Sequence, residues 1–145
     1  MSQSDAKITL AQFAEISAQR LPFAGLMGLQ LDSLDRDCAL MRAVYRESFL
    51  RPGGTIAGPV MMGLADAAMY ALVLANIGPV ELAVTTSLNI NFLRKPAPGD
   101  VIGRASPLKF GRRLAIGEIS LYSEVAPDEI VAHATATYSI PPSAA

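Results

Sequence analysis

The stretch that decides the fold runs from residue 58 to residue 78 and reads GPVMMGLADAAMYALVLANIG. It is long enough to span a membrane, and Asp66 is the only charged residue between Arg51 and Glu81. Pro59 at its start, an acidic residue within it and alternating residues beyond it favour instead the buried central helix of a globular domain. The stretch therefore predicts one long core helix and no association with a membrane.

The residues on either side predict a shorter helix and several strands. Apolar residues recur on one helical face of residues 9–20, which predicts an N-terminal helix, and Leu21-Pro22 brings it to an end. Residues 141–145 are expected to fray. Turn-forming residues separate the remaining segments, which are expected to be strands: Met27–Leu34, Cys38–Tyr45, Val84–Phe92, Val101–Phe110, Leu114–Val125 and Ile130–Ile140.

This order of elements predicts an α+β fold. An antiparallel sheet must bury its inner face on the only long helix available, so the sheet is expected to wrap around that helix. The chain has 145 residues, of which 51% are hydrophobic and 17% charged, which excludes a disordered chain. Residues 1–145 are therefore expected to form one domain, with the N-terminal helix as an addition to the sheet and central helix.

Composition excludes several kinds of partner and site. A formal net charge of −1 provides no overall positive field for nucleic acid. A single cysteine, Cys38, cannot form an intrachain disulfide, and with one histidine, His133, it cannot build a Cys/His zinc site. The polar, acidic start of the chain lacks the features of a secretory signal. These observations predict a cytoplasmic protein without a metal ion or cofactor.

The segment Val84–Phe92 alternates between two kinds of side chain. Unbroken alternation would place an apolar-leaning set on one face of the strand and Thr85, Ser87, Asn89 and Asn91 on the other. A six-stranded sheet around one helix leaves edge strands, and this strand is a candidate to pair with its own copy across a twofold axis. The chain is therefore expected to be a homo-oligomer, either a dimer or a dimer of dimers.

Asp66 is the strongest functional candidate on chemical grounds. Aspartate has poor helix propensity, and burying a carboxylate among apolar neighbours is costly unless it is used or paired. A catalytic base or nucleophile explains such a residue. The alternative is a structural carboxylate that is satisfied by Arg51, or by a serine or threonine, at a dimer contact.

Several stretches, taken in order and spacing, resemble the PaaI-type hotdog acyl-CoA thioesterases over roughly Met27–Ile140. These stretches are Gly53-Gly54-Thr55-Ile56-Ala57-Gly58-Pro59, Leu64-Ala65-Asp66-Ala67-Ala68, residues 87–97 with Gly99-Asp100, Gly111-Arg112-Arg113-Leu114-Ala115, and residues 132–138. The resemblance implies the hotdog fold and hydrolysis of acyl-CoA to a free acid and coenzyme A. It also implies a site assembled between two protomers, with the glycine from one and the acid from the other.

The resemblance also implies roles for individual residues. The Gly58 N–H polarises the thioester carbonyl, Asp66 acts as base or nucleophile, and Thr85 is the nearest match to a side chain that places the attacking water. The chain departs from the family pattern at two other positions, because Ala57 stands where a histidine is typical and Arg51 corresponds approximately to an asparagine. These departures favour a rival interpretation, a non-catalytic acyl-CoA-binding module.

Other residues are candidates for binding substrate. Gly63 lies on the same helical side as Asp66 and could admit a ligand or neighbouring backbone, and Met62 belongs to a set of methionines that could line an acyl channel or simply form core. Arg51 is a further candidate for binding substrate. Basic residues in or near turns could converge on the phosphates of coenzyme A or remain solvated: Arg94, Lys95, Lys109, Arg112 and Arg113. His133 matches no catalytic position and is expected to be structural.

Overall fold

A computed structural model describes residues 5–142 of the chain. Its helices and strands, in chain order, are α1 (Leu10–Arg20), α2 (Pro22–Leu26), β1 (Leu29–Leu34), β2 (Ala39–Ala43), β3 (Leu50–Arg51), β4 (Thr55–Ile56), α3 (Gly58–Ile77), β5 (Val84–Phe92), β6 (Val101–Phe110), β7 (Leu114–Ser123) and β8 (Ile130–Ser139). The predicted long helix and six predicted strands are therefore present, with four of the strands one to three residues shorter than expected. Of the tail expected to fray, residues 143–145 lie outside the described part.

The longer strands form one antiparallel sheet that wraps around α3. Their order is β1-β2-β6-β7-β8-β5, and β3 and β4 form a separate two-stranded hairpin. Helix α3 contacts all six strands of the sheet. This is the hotdog arrangement expected from the sequence, and β5 is an edge strand, as predicted.

Helix α3 supplies the centre of the core. Within the described residues it is the one helix long and apolar enough to cross a membrane, and 67% of its apolar window is buried inside the protein. The sheet comes so close at Gly117 that an added Cβ would lie 2.7 Å from Met69 Sδ and 2.9 Å from the Ser106 carbonyl oxygen. The helix is thus the core element that the sequence predicted.

The N-terminal region contains one helix that was predicted and one that was not. Thr9 caps α1, because its hydroxyl accepts the Gln12 N–H at 3.0 Å and the Gln12 side chain accepts the Thr9 N–H at 2.8 Å. Helix α1 ends before Leu21-Pro22, as expected. The same proline then begins α2, because proline suits the first turn of a helix. The following strand consequently starts at Leu29 and not at Met27.

A β-bulge in β5 changes which side chains face α3. Thr85 is paired with Tyr138 and Ser87 with Thr137, so the intervening Thr86 is an extra residue without a partner of its own. Directly opposed side chains share a face, and Tyr138 is buried on the inner face. The expectation that Thr85 lies on the outer polar face with Ser87 is therefore wrong. Thr85 points inward, whereas Thr86 is exposed.

The short hairpin β3–β4 holds the start of α3 in place. The Ala57 N–H donates to the Phe49 carbonyl at 2.8 Å, and the Ile56 N–H donates to the Pro96 carbonyl at 3.3 Å. Ala57 keeps an extended backbone as the N-cap residue, and α3 begins at Gly58. The hairpin thereby places the first N–H groups of α3 at the surface of the molecule.

Candidate active site

The Asp66 carboxylate is held by two hydroxyl groups from neighbouring strands. Thr85 Oγ1 on β5 donates to Asp66 Oδ1 at 2.5 Å, and Tyr138 Oη on β8 donates to the same oxygen at 2.8 Å. The Tyr138 hydroxyl also lies 3.0 Å from the Asp66 carbonyl oxygen. Asp66 and Thr85, which the sequence analysis paired as site residues, are therefore brought together by the bulge in β5.

Tyr138 is the site residue that sequence reasoning missed. The sequence places it in the last predicted strand, and an aromatic residue at a buried strand position is ordinarily part of the core. It is 2% exposed. Burial, and after it the negative charge of Asp66, raises the pKa of Tyr138 well above its ordinary value. The signal available in the sequence was a tyrosine among alternating small residues, because a buried tyrosine hydroxyl needs a partner.

The second oxygen of Asp66 faces an open cavity. Among the described residues no hydrogen bond reaches Oδ2, and no buried side-chain oxygen lacks a partner, so Oδ2 is not sealed in the core. The cavity has a volume of about 380 Å³. Its walls come from the α1–α2 junction, from α3 and from the chain around the start of β5. The apolar and aromatic residues among them are Leu21, Pro22, Phe23, Ala24, Tyr70, Ala83 and Val84. A carboxylate oxygen at the base of an apolar cavity can accept a proton or attack an electrophile.

Within one chain, Asp66 pairs with a threonine hydroxyl, that of Thr85, and not with Arg51. The ion pairs formed within residues 5–142 do not include Asp66. Arg51 is exposed on β3 and lines a different cavity, the one at the start of α3. Asp66 is therefore bonded to hydroxyl groups and not neutralised by this cation.

Gly58 lies in a second cavity, of about 540 Å³, at the N-terminus of α3. Among the backbone hydrogen bonds of the described residues, none has the Gly58 N–H as donor, as is usual for the first residues of a helix. Phe92 packs against this position, since a Cβ on Gly58 would lie 3.4 Å from its ring. Arg51, Arg94 and Lys95 line the same cavity. A free N–H at a helix N-terminus beside cations suits a negatively charged or polarised group.

Gly58 and Asp66 do not meet within one chain. They are eight residues apart on α3, which corresponds to about 12 Å along the helix axis, and they line different cavities. One carbonyl group cannot contact both positions of the same protomer. A site that uses both residues needs a second chain.

The predicted substrate-binding residues are dispersed in the single chain. Arg94 joins Arg51 at the start of α3, and its side chain donates to the Ile130 carbonyl at 2.7 Å. Arg112 and Arg113 line a groove with Ile77, at the opposite end of α3. The expected convergence of these turn arginines is wrong for one protomer, because the 20 residues of α3 separate the two groups.

The two helix residues proposed to bind substrate have different surroundings. Gly63 lines the same cavity as Asp66. It also lies against Met27, because an added Cβ would be 2.6 Å from the Met27 Sδ. Met62 is 41% exposed, while Met61 and Met69 are buried as core. Met62 therefore presents its side chain to solvent in the single chain.

His133 lies outside this site. Its Nε2 is 2.9 Å from Glu118 Oε1, an interaction between the side chains of β8 and β7, which fits the expected structural role. Within residues 5–142 no group of three or more His, Cys, Asp or Glu side chains is arranged to hold a metal ion.

The comparisons with known proteins agree with one another. The thioesterase superfamily profile matches residues 53–130. A crystal structure of a provisionally named thioesterase from Silicibacter sp. TM1040 is 42% identical, covers 94% of each chain and superposes with a TM-score of 0.84. A variant of the phenylacetic acid degradation protein PaaI from Thermus thermophilus is 28% identical, with 83% of this chain and 99% of that chain covered and a TM-score of 0.72. A provisionally named esterase from Saccharolobus solfataricus is 26% identical over 116 residues, 79% of this chain and 75% of that protein.

Proposed function

This chain belongs to the thioesterase superfamily and is a thioester hydrolase, and we propose that it hydrolyses acyl-CoA thioesters with Asp66 as base or nucleophile. The observation that carries the proposal is the unequal use of the Asp66 oxygens. Oδ1 accepts two hydroxyl donors, and Oδ2 faces a largely apolar cavity large enough for an acyl group. An oxygen left free at a cavity is what a base or nucleophile requires.

Two routes use this oxygen. As a base, Oδ2 takes a proton from water, the resulting hydroxide attacks the thioester carbon, and the carbon–sulfur bond breaks to release the coenzyme A thiolate, which is then protonated. As a nucleophile, Oδ2 attacks the carbon directly, and the carbon–sulfur bond breaks to release the coenzyme A thiolate and leave an anhydride. Water then hydrolyses the anhydride to the free acid and restores the Asp66 carboxylate. In both routes negative charge develops on the carbonyl oxygen, and the Gly58 N–H is proposed to stabilise it. Thr85 holds the carboxylate and lies beside the place of the attacking water.

The proposed site includes two protomers. The axial distance between Gly58 and Asp66 requires that the N–H and the carboxylate at one thioester come from different chains. The exposed edge of β5 and the exposed apolar side chains of Val84 and Phe92 favour pairing with a second copy. We therefore propose a homodimer as the smallest active unit, and a dimer of dimers as an assembly of it.

The basic residues near Gly58 are proposed to receive coenzyme A. Arg51, Arg94 and Lys95 surround the same cavity as the free N–H, and guanidinium and ammonium groups suit phosphate. Arg112 and Arg113 could contribute only from another position in the assembly. A cytoplasmic location is proposed as well, because Cys38 is a free thiol in the structure.

The rival interpretation is a non-catalytic acyl-CoA-binding module. An ion pair from Arg51 would hold Asp66 occupied and favour that interpretation, but Asp66 has no such partner within the described residues. Hydrolysis is the better supported function because the acid has an available oxygen.

The test measures thiol release from a panel of acyl-CoA thioesters beside a binding assay on the same protein. We expect turnover of at least one class of acyl group, with free coenzyme A appearing in proportion to the free acid. Tight binding across the panel without thiol release would instead identify the binding module.

A further inference from the structure

The Tyr138 hydroxyl has an unusual position for a buried core tyrosine. It lies within hydrogen-bond distance of both the carboxylate and the main-chain carbonyl of Asp66, at 2.8 and 3.0 Å. Tyr138 thus connects the last strand of the sheet to the helix residue that carries the reactive group. Tyr138 also lines the Asp66 cavity, but with 2% of the residue exposed it offers little surface to a bound acyl group.

Two donors on one oxygen restrict the orientation of the carboxylate. Rotation about the last side-chain bond of aspartate is soft and nearly twofold, so an unrestrained carboxylate exchanges its two oxygens readily. Here Thr85 and Tyr138 both donate to Oδ1, from two strands that are paired at these residues. The arrangement leaves Oδ2 directed to the cavity.

The hydroxyl of Tyr138 is also a persistent donor. Its raised pKa, caused by burial and then by the Asp66 charge, keeps the phenol protonated through the neutral and mildly alkaline range. Tyr138 therefore does not compete with Asp66 for a proton from water.

We propose that Tyr138 is a positioning residue for hydrolysis, which holds Asp66 Oδ1 so that Oδ2 alone acts on water or on the thioester. This inference rests on the proposed function, since it assigns a task within the same site. It explains why a polar group is placed in the core beneath the helix, where phenylalanine would fill the same volume.

Tyr122 provides a control. It is a half-buried tyrosine on β7 and lines neither the Asp66 cavity nor the cavity at Gly58. Burial raises the pKa of its hydroxyl as well. Tyr122→Phe and Tyr138→Phe thus remove the same atom from a tyrosine of the sheet, and only Tyr138→Phe changes the surroundings of the carboxylate.

The experiment compares steady-state kinetics of the wild-type protein, Tyr138→Phe and Tyr122→Phe with an acyl-CoA that the wild type hydrolyses. For Tyr138→Phe we expect kcat to fall by about tenfold to a hundredfold, with KM changed less than about twofold, as for loss of a hydrogen bond to a charged group in the reacting state. For Tyr122→Phe we expect both constants to stay within about twofold of wild type.

The pH profile gives a reading that a structural role would not move. Loss of a donor disfavours the charged carboxylate, so the acid-side half-point of kcat/KM is expected at higher pH in Tyr138→Phe and unchanged in Tyr122→Phe. The other titratable groups lining the cavity are Arg20, Glu81 and Tyr70, and Arg20 and Glu81 form an ion pair at 3.1 Å. All three groups are present in every variant, so a half-point that moves in Tyr138→Phe alone is not caused by them.

Three results would overturn the proposal. They are a folded Tyr138→Phe with wild-type kcat and half-point, equal losses in both tyrosine variants, and a crystal structure of the wild type in which Tyr138 does not contact Asp66. The crystal structure of the wild type also decides the question if Tyr138→Phe does not fold.

A wild type that releases no thiol overturns the proposed function. In that event, crystal structures of the wild type and Tyr138→Phe still test positioning, because a carboxylate that keeps one unchanged orientation without the hydroxyl contradicts it.

Discussion

At the scale of single residues, Asp66 is the proposed base or nucleophile, and its substitution is the most direct test of that role. Asp66→Asn retains an oxygen that can accept from Thr85 and Tyr138, but it removes the negative charge required of a base or nucleophile. We expect kcat to fall at least about 10²-fold, while acyl-CoA binding persists and thermal stability changes little or rises slightly, because a partly buried charge is neutralised. Thiol release, calorimetric binding and thermal melting measure the three quantities.

Asp37 offers a control for this substitution. It is an exposed acid outside the Asp66 cavity, in the β1–β2 turn, and Asp37→Asn makes the same chemical change there. We expect wild-type kcat from it. Near-normal turnover by Asp66→Asn would show that the acid is structural and that the hydrolytic group lies elsewhere.

At the scale of elements, the contact between β7 and α3 is tight enough to exclude any side chain at Gly117. An added methyl group would lie 2.7 Å from the fully buried Met69 sulfur and 2.9 Å from the backbone of β6. Gly117→Ala is therefore expected to lower the free energy of unfolding by roughly 1–3 kcal/mol, the usual cost of overpacking. Urea denaturation measures this change.

The control for Gly117 is Gly25, a glycine in helix α2. No atom lies within 4 Å of a Cβ built there, and alanine has the higher helix propensity. Gly25→Ala is expected to leave the urea midpoint unchanged or to raise it slightly. An equal loss in both variants would contradict the close approach of β7 to α3.

A cluster of charged side chains links β2 to the start of β6, in the half of the sheet opposite β5. Asp100 accepts the Tyr45 N–H at 2.7 Å and pairs with Arg42 at 2.9 Å. The Tyr45 bond, and Arg42 with it, lowers the pKa of Asp100 against the opposing effect of burial. Because the pKa is lower in the folded state, the ionised carboxylate stabilises the fold at pH values above 3.8, the ordinary pKa. This contribution is lost as the pH falls below that value.

Asp100→Asn is consequently expected to destabilise the protein by roughly 1 kcal/mol near pH 7, a modest effect because the group is partly exposed. The difference from wild type is expected to shrink as the pH falls through the acid range. Denaturation curves at several pH values measure it, and a difference that stays constant down to pH values of about 3 would contradict the assignment.

At the scale of the whole molecule, the separation of Gly58 from Asp66 means that the proposed mechanism requires a dimer. Gly58→Pro removes the proposed N–H donor, and the extended backbone of Ala57 is compatible with a following proline. In a mixed dimer of Gly58→Pro and Asp66→Asn chains, one site receives both changes and the other receives neither. After random subunit exchange we expect about a quarter of wild-type activity from two chains that are each nearly inactive.

The complementation experiment has two checks. Light scattering at micromolar concentration is expected to give at least twice the chain mass of 15.3 kDa, and thermal melting confirms that Gly58→Pro is folded. A monomeric mass, or mixed chains that remain inactive although both are folded and exchange subunits, would contradict the shared site.

Much of this molecule followed from local pattern. Residues 58–78 are apolar apart from one acid, and the strands predicted around them favour a buried helix over a membrane span. A helix that is hydrophobic on all sides must be covered, and the predicted sheet is the element available to wrap around it. The same reasoning identified Asp66, because a carboxylate in such a helix needs a use or a partner. The role of Gly58 came from the family resemblance, and its free N–H is consistent with that role.

Tertiary structure alone decided how the carboxylate is held. The bulge at Thr86 reverses the alternation of β5 and turns Thr85 inward, and strand register then places Tyr138 opposite it. Neither event has a local signature, because a bulge and a register depend on the partner strand and on the helix that both strands cover. The distance between Gly58 and Asp66 could be calculated from the sequence, but the two separate cavities depend on packing around both ends of the helix. For that physical reason composition and periodicity singled out Asp66, whereas the contacts of Thr85 and Tyr138 with one of its carboxylate oxygens emerged only from the folded chain.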